Sequence, residues 1–220
     1  MNLFSVFDPS SYFGLSFNWI ILMIIYLYVP VKYYFFNSGL GSMYKIMYTE
    51  VSLIFKEVSI PNHLVLGFLS VIAFIYLVVS NFLGLFPFVF TGTAHPFMTL
   101  GFGLILWMSF FFMGFITNFN KSCAHLVPEG SPLILSPFMV IIESISHLIR
   151  PFTLSIRLAA NMMAGHLIIG LLSSISLINI FGFISSLMLQ NMLMILEFGV
   201  VLIQGFVFSI LLLLYSLEYY

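Results

Sequence analysis

Between Val58 and Asn120 the chain carries no Asp, Glu, Lys or Arg, and between Leu158 and Leu217 it carries one, Glu197. Runs of that kind leave few folds open. In hydrocarbon, backbone N–H and C=O groups must pair within their own segment, which a helix achieves at every residue and an open strand does not. About 20 apolar residues cross a bilayer core as a helix. The runs are continuous and lack the alternation of a membrane β-barrel. The expected fold class is an all-α polytopic membrane protein, a single membrane domain over residues 1–220. It should hold about five membrane helices plus one interfacial amphipathic helix. With 6% charged residues against about a quarter in a soluble domain, a water-soluble fold is excluded. Six Lys and Arg in a chain of net charge -1 exclude a nucleic-acid partner. The lipid bilayer is the implied surrounding.

The N-terminal MNLFSVFDPSS has no basic n-region and no small-residue cleavage site, so the first apolar run, residues 15–36, reads as a retained span. Pro30 should kink it, and Tyr26, Tyr28, Tyr33, Tyr34 and Lys32 resemble an interfacial belt. Residues 42–60 place Lys45, Glu50, Lys56 and Glu57 among Ile46, Val51, Leu53, Ile54 and Phe55. That mixture predicts an amphipathic helix in the interface rather than a span. Residues 64–89 and 97–119 predict a helical hairpin about the turn FTGTAHP, with Gly101, Gly103 and Gly114 open to close helix contact. Residues 138–173 and 178–215 predict a second hairpin folding about Phe181-Gly182. Each arm exceeds 30 residues, or about 50 Å, against a core of about 30 Å, so both must tilt steeply or run partly outside the hydrocarbon. Lys32, Lys45, Lys56 and Lys121 fall on one side of such a bundle, which marks it as the cytosol or matrix side. No internal repeat supports an inverted-repeat transporter. Cys123 alone forms no internal disulfide, and with Lys121 and His125 it lacks the ligand count of a metal site. No phosphate loop or nucleophile motif is present, so no cofactor is expected.

The chemistry concentrates in the last hairpin. With Glu143 at zero on a wheel of about 100° per residue, His147, Arg150, Arg157 and Asn161 all fall within about 40° of it, whereas His166 lies about 140° away. Arg157 cannot lose its proton. Near a bilayer centre an arginine costs from about 2.5 to well over 10 kcal/mol, so it must face a partner or a wet cavity. Ala160, Ala164 and Gly165 would let another helix approach it. On the second arm, Gln190, Glu197 and Gln204 recur every seven residues. Antiparallel register sets Arg157 level with Gln204 and His166 level with Glu197, the two layers about 13 Å apart, with Glu143 about 21 Å from Arg157 in the opposite direction. His and Glu can exchange protons near neutral pH; Arg cannot. The pattern is a proton route interrupted by a fixed cation, so something mobile must carry the proton past it. Three blander readings stand beside it. Arg157 could be a structural cation paired with Glu197 or Glu143. His166 and Glu197 could be a buried hydrogen-bonded pair, and Glu143 an interface-facing acid.

The segments PFMVIIESISHLIRPFTLSIRLAANMMAGHL and LEFGVVLIQGFVF, with looser similarity in NLFSVFDP and over the rest of the length, resemble the a subunit of F-type ATP synthases in its animal mitochondrial form. The resemblance implies a proton-translocating stator of the mitochondrial inner membrane. That stator lies beside a ring of small two-helix rotor subunits and against peripheral-stalk and other membrane subunits, with nucleotide sites on other chains. It implies that Arg157 faces the ring carboxylate, with Asn161 and Gln204 as polar neighbours. His166 and Glu197 would line the half-channel from the intermembrane side, and Glu143 would be the matrix-side acid. His166 and Glu197 stand in the mitochondrial order; bacterial relatives place an acid and a histidine there. The residues alone leave two rivals open: a proton- or anion-coupled secondary transporter with Arg157 binding substrate, and a non-conducting scaffold subunit.

Overall fold

A computed structural model describes residues 7–10, 14–23, 39–58, 64–86, 89–117, 119, 123–124, 126–127, 132, 135–176 and 179–219. All regular structure in them is helical: α1 (Gly39–Val58), α2 (Leu64–Gly84), α3 (Pro96–Thr117), α4 (Ser136–Ile175) and α5 (Ile180–Tyr219). Short 3-10 turns at Phe17–Ile20 and Gly92–Ala94 accompany them. Four of the helices, α2 to α5, are long and apolar enough to cross a membrane. The expected first span at residues 15–36 lies mostly outside the described residues. Its described beginning, 14–23, is a 3-10 turn that runs into helix. α1 carries the mixed-charge segment, its Lys45, Glu50, Lys56 and Glu57 exposed and Phe55 turned inward at 1% exposure.

α4 runs on to Ile175 and α5 starts at Ile180, so the expected turn residues Phe181 and Gly182 lie inside α5. Forty residues per arm give about 60 Å of helix. Pro151 does not break α4. The Ser155 hydroxyl donates to the Pro151 carbonyl at 2.6 Å and lies close to the Phe152 carbonyl at 3.1 Å, so the turn after the proline keeps its polar groups paired.

One apolar core joins α2 to α5 through Leu77, Phe110, Leu154, Leu158, Phe208 and Leu212. A second, Phe55, Val71 and Leu213, fastens α1 onto α2 and α5. A third, Phe7, Ala94, Met162 and Val201, closes the opposite end. Helix association in lipid gains little from apolar transfer and depends on close fit. Glycine supplies that fit where α5 crosses α2: a Cβ at Gly205 would stand 2.6 Å from Val78 Cγ2. One at Gly103 would meet Ser155 Cβ at 3.4 Å, an ordinary contact. Gly101, by contrast, faces open space. Buried serines pair with their own helix: Ser70 to Gly67 O, Ser80 to Leu77 O, Ser209 to Gly205 O and Ser216 to Leu213 O, at 2.6 to 3.0 Å.

Of the four spans α4 is least covered within the chain, 17% of its most apolar window being buried against 44% for α2 and α5. Its remaining face awaits lipid or another protein. Replacing Gly205 by Leu should force α5 away from α2 and destabilise the bundle by about 1–3 kcal/mol, the usual cost of overpacking. Thermal unfolding of the detergent-solubilised protein reads this out, and an unchanged midpoint would contradict the close crossing at Val78.

Candidate functional site

Three groups of polar side chains stand on the last two helices, at three depths. Nearest the lysine-bearing end, α4 carries Glu143, His147 and Arg150 at helical spacing. Glu143 Oε1 lies 3.4 Å from His147 Nε2 and 3.6 Å from Arg150 Nη2. Arg150 in turn sits over the Tyr215 ring of α5, its Cζ 5.1 Å from the ring centroid. Glu143 therefore has cationic and hydrogen-bonding company on its own helix, and a second helix holds that company in place. His147 and Arg150, which sequence reasoning left without a role, are its partners.

The middle group is Arg157, Asn161 and Gln204. Arg157 is exposed on α4 and has no acidic group within 4.0 Å among the described residues, where the ion pairs are those of Glu143. The reading in which Arg157 pairs with Glu143 or Glu197 inside the chain is thus not realised here. Arg157, Ala160, Asn161, Ala164, Ile168 and Leu171 are all exposed and recur at three-and-four spacing, so one outward face of α4 bears the cation. Small residues flank it and larger apolar ones lie beyond. Asn161 Nδ2 donates to Gln204 Oε1 at 3.3 Å. The Gln204 side chain thus bonds to Asn161, one turn beyond Arg157.

The third group surrounds a cavity of about 200 Å³ between α2, α4 and α5, lined by Asn81, Asn161, Gly165, His166, Glu197 and Gln204 among apolar neighbours. Gly165 is the hinge of its construction. A Cβ built there would overlap Glu197 Oε1 and stand 2.7 Å from the carboxyl carbon. Its role is therefore to admit a carboxylate, where sequence reasoning grouped it with Ala160 and Ala164 beside Arg157. The backbone of Gly84, at the end of α2, lies within hydrogen-bonding reach of the His166 imidazole. The Phe7 ring meets that imidazole edge-on at 6.4 Å. His166 Nε2, Glu197 Oε2 and Gln204 Nε2 are buried without a protein partner. So His166 and Glu197, off each other's helical stripes in sequence, are brought to one pocket. Asn81 was missed. It is the only Asn or Gln in α2, in a run without formal charge, and that isolation was the available signal.

Fold and site define a polytopic helical membrane protein with two ionisable clusters at different depths and a permanent cation on an outward face between them. Residues 14–216 match the family described as ATP synthase A chain. The chain is 42% identical to ATP synthase subunit a of Drosophila melanogaster over 219 residues, 99% of this chain and 98% of the relative. It is 43% identical to that of Locusta migratoria over 229 residues, covering 100% and 99%. With Aedes aegypti subunit a the identity is 42% over 221 residues, 99% and 98% of the two chains. The chain belongs to the ATP synthase A chain family, whose function is proton transport in ATP synthesis.

Gly165→Ala should push the Glu197 carboxyl out of the pocket. Alanine is the better helix former by about 1 kcal/mol, so α4 itself is not weakened. Proton flux through the reconstituted complex should fall several-fold while assembly holds. Unchanged flux would mean that the carboxyl position is immaterial.

Proposed function

We propose that this chain is the proton-translocating stator subunit of an F-type ATP synthase in the mitochondrial inner membrane. It supplies two offset half-channels and an arginine that faces the rotor ring. The observation that carries the reading is Arg157: a permanent cation, exposed among apolar and small side chains at mid-span, without an acidic partner in the described chain. Such a charge is tolerated at that depth when a partner or water meets it. A ring of small two-helix subunits, each with one mid-membrane carboxylate, is a partner of matching charge and shape. Ala160 and Ala164 leave room for its helices to approach.

The mechanism follows from the three depths. Protons reach the cavity from the side opposite the lysines and are handed over at His166 and Glu197. A ring carboxylate passing that level takes one, becomes neutral and can turn into lipid. After the ring has turned, the carboxylate meets Arg157, whose charge favours the ionised form by Coulomb attraction. The released proton leaves by Glu143, which His147 and Arg150 flank. Asn161 and Gln204, bonded to each other, hold the helix pair at the level where the exchange occurs. Each proton brings about 2.3 kcal/mol per 100 mV, and the detour around Arg157 converts that work into rotation. Nucleotide chemistry belongs to other subunits of the complex, and the outward face of α4 and the exposed surface of α1 are available to the ring and to peripheral-stalk subunits. No observation favours a substrate-binding transporter.

Arg157→Ala should abolish coupled ATP synthesis and let protons leak, with the complex still assembled. Vesicles bearing the variant, assayed for ATP formation under an imposed proton gradient, test this, and coupled synthesis at the unaltered rate would overturn the proposal. Glu143→Gln should slow flux without abolishing it, because water can still reach a half-buried position at that depth. A wild-type rate would remove Glu143 from the route.

A further inference from the structure

We propose that Phe7 is a positioning residue for His166: its ring holds the imidazole so that Nε2 is the nitrogen turned toward Glu197. The proposal rests on the stator reading of that pocket and makes the N-terminal segment part of its construction.

Phe7 is 8% exposed, although Asp8 and Pro9 follow it directly. Its burial comes from tertiary contact. It packs with Ala94, Met162 and Val201 in one core. Met162 and Val201 also line the cavity that His166 and Glu197 line, so Phe7 backs two residues of the cavity wall. It touches a third, His166, with ring centroids 6.4 Å apart and the planes at 84°. Further along the same segment, Trp19 meets Phe90 at 5.4 Å and His95 at 5.2 Å. Leu22 covers Gly92 so closely that a Cβ there would stand 2.7 Å from Leu22 Cδ2. The N-terminal segment is therefore fixed to the turn between α2 and α3 as well as to His166.

An imidazole needs such a hold. The torsion that turns its ring is broad and roughly two-fold, and half a turn puts carbon where nitrogen stood. A relay works only with nitrogen at the pocket. The backbone of Gly84 lies within hydrogen-bonding reach of the imidazole, and Nε2 has no protein partner, so that contact falls to Nδ1. Carbonyls in the last turn of a helix lack a partner in their own helix, and the Gly84 carbonyl suits an Nδ1–H donor. That bond sets the tautomer and leaves Nε2 to exchange protons. Phe7 sets the tilt: rings near a right angle occupy a favoured arrangement, and rotation of the imidazole would break both contacts together. Nε2 then accepts a proton as an N–H bond forms. It yields that proton to the Glu197 carboxylate, the N–H bond breaking as an O–H bond forms, while Nδ1 keeps its own. The imidazole ends in the tautomer it began in and need not turn between protons.

Two substitutions separate this role from packing. Phe7→Leu keeps an apolar side chain in the core and removes the flat ring. Phe7→Tyr keeps the ring and buries a hydroxyl. If Phe7 only fills space, Tyr should be the worse variant; if it orients His166, Leu should be. In the assembled complex, passive proton flux is expected to fall about three- to tenfold with Leu and to stay within about twofold with Tyr, the difference that an edge-on aromatic pair makes. Flux at the wild-type level in Phe7→Leu, with Glu197→Gln blocked in the same assay, would overturn the role of Phe7 and leave the stator reading standing. Equal losses with Leu and Tyr would also overturn it, since packing alone predicts them. Free flux in Glu197→Gln would overturn both readings. If Phe7→Leu does not assemble, a density map of the unaltered complex decides. Phe7 against the imidazole, with Nδ1 about 2.7–3.2 Å from the Gly84 oxygen, supports the proposal, and a Phe7 ring away from His166 overturns it.

Discussion

Every polar group within an apolar span must find a partner, because the surroundings offer none. The described residues satisfy that constraint in two ways. Serine hydroxyls return to carbonyls of their own helix, as Ser70, Ser80, Ser155 and Ser209 do. Amides and charges meet side chains, as Asn161 meets Gln204 and Glu143 meets His147 and Arg150. Other buried side-chain atoms stay unpaired among the described residues, those of Thr91, Thr93, His95 and Trp107 included. Unpaired atoms of Asn81, His166, Glu197 and Gln204 belong to side chains that line one cavity, and Arg157 stands on an outward face. At the cavity and on that outward face, the chain leaves polar groups that its own side chains do not satisfy.

Glycine decides whether such a pocket can exist. A carboxylate between two long helices needs space at the level where the helices cross, and side chains on both would ordinarily fill it. At Gly165 the space is opened for Glu197, and at Gly84 for Thr91 and Met162. At Gly205 the same device serves packing, since it admits Val78 of α2. Together they bring α2 and α4 close to α5 and leave room beside the polar side chains that line the cavity.

Most of the fold was legible because a single physical requirement dominates it. Charge-free runs long enough to cross a bilayer mark α2 and α3, and the mixed-charge segment forms the helix α1. The extent of the last two helices was nearly right for the same reason, while their reversal was misplaced: Gly182 reads as a turn, yet it lies inside α5. Helical periodicity showed that Glu143, His147 and Arg150 share a stripe, and they do form one cluster. It could not show the crossing geometry. Counting residues sets Gln204 level with Arg157, and it gave no sign that the Gln204 amide bonds to Asn161. Nor could periodicity show that Gly165 faces Glu197, because that contact belongs to two helices. Asn81 was invisible for a related reason. On α2 alone it is one amide in an apolar helix, and its meaning comes from side chains more than 80 positions further along the chain.

The placement of charge relative to uncharged polarity has a further consequence. Around the cavity the unpaired groups are amides, an imidazole and a carboxyl, all able to be neutral, so the pocket can hold water without a permanent charge. Arg157 is permanently charged and stands outside it. A guanidinium set beside Glu197 would pair with it and remove the one acidic acceptor in that part of the hairpin. Breaking a buried pair of that kind costs about 3–5 kcal/mol, and every proton transferred would have to meet that cost. Keeping the cation on the outward face of α4 and the acid behind Gly165 separates them by position rather than by protonation.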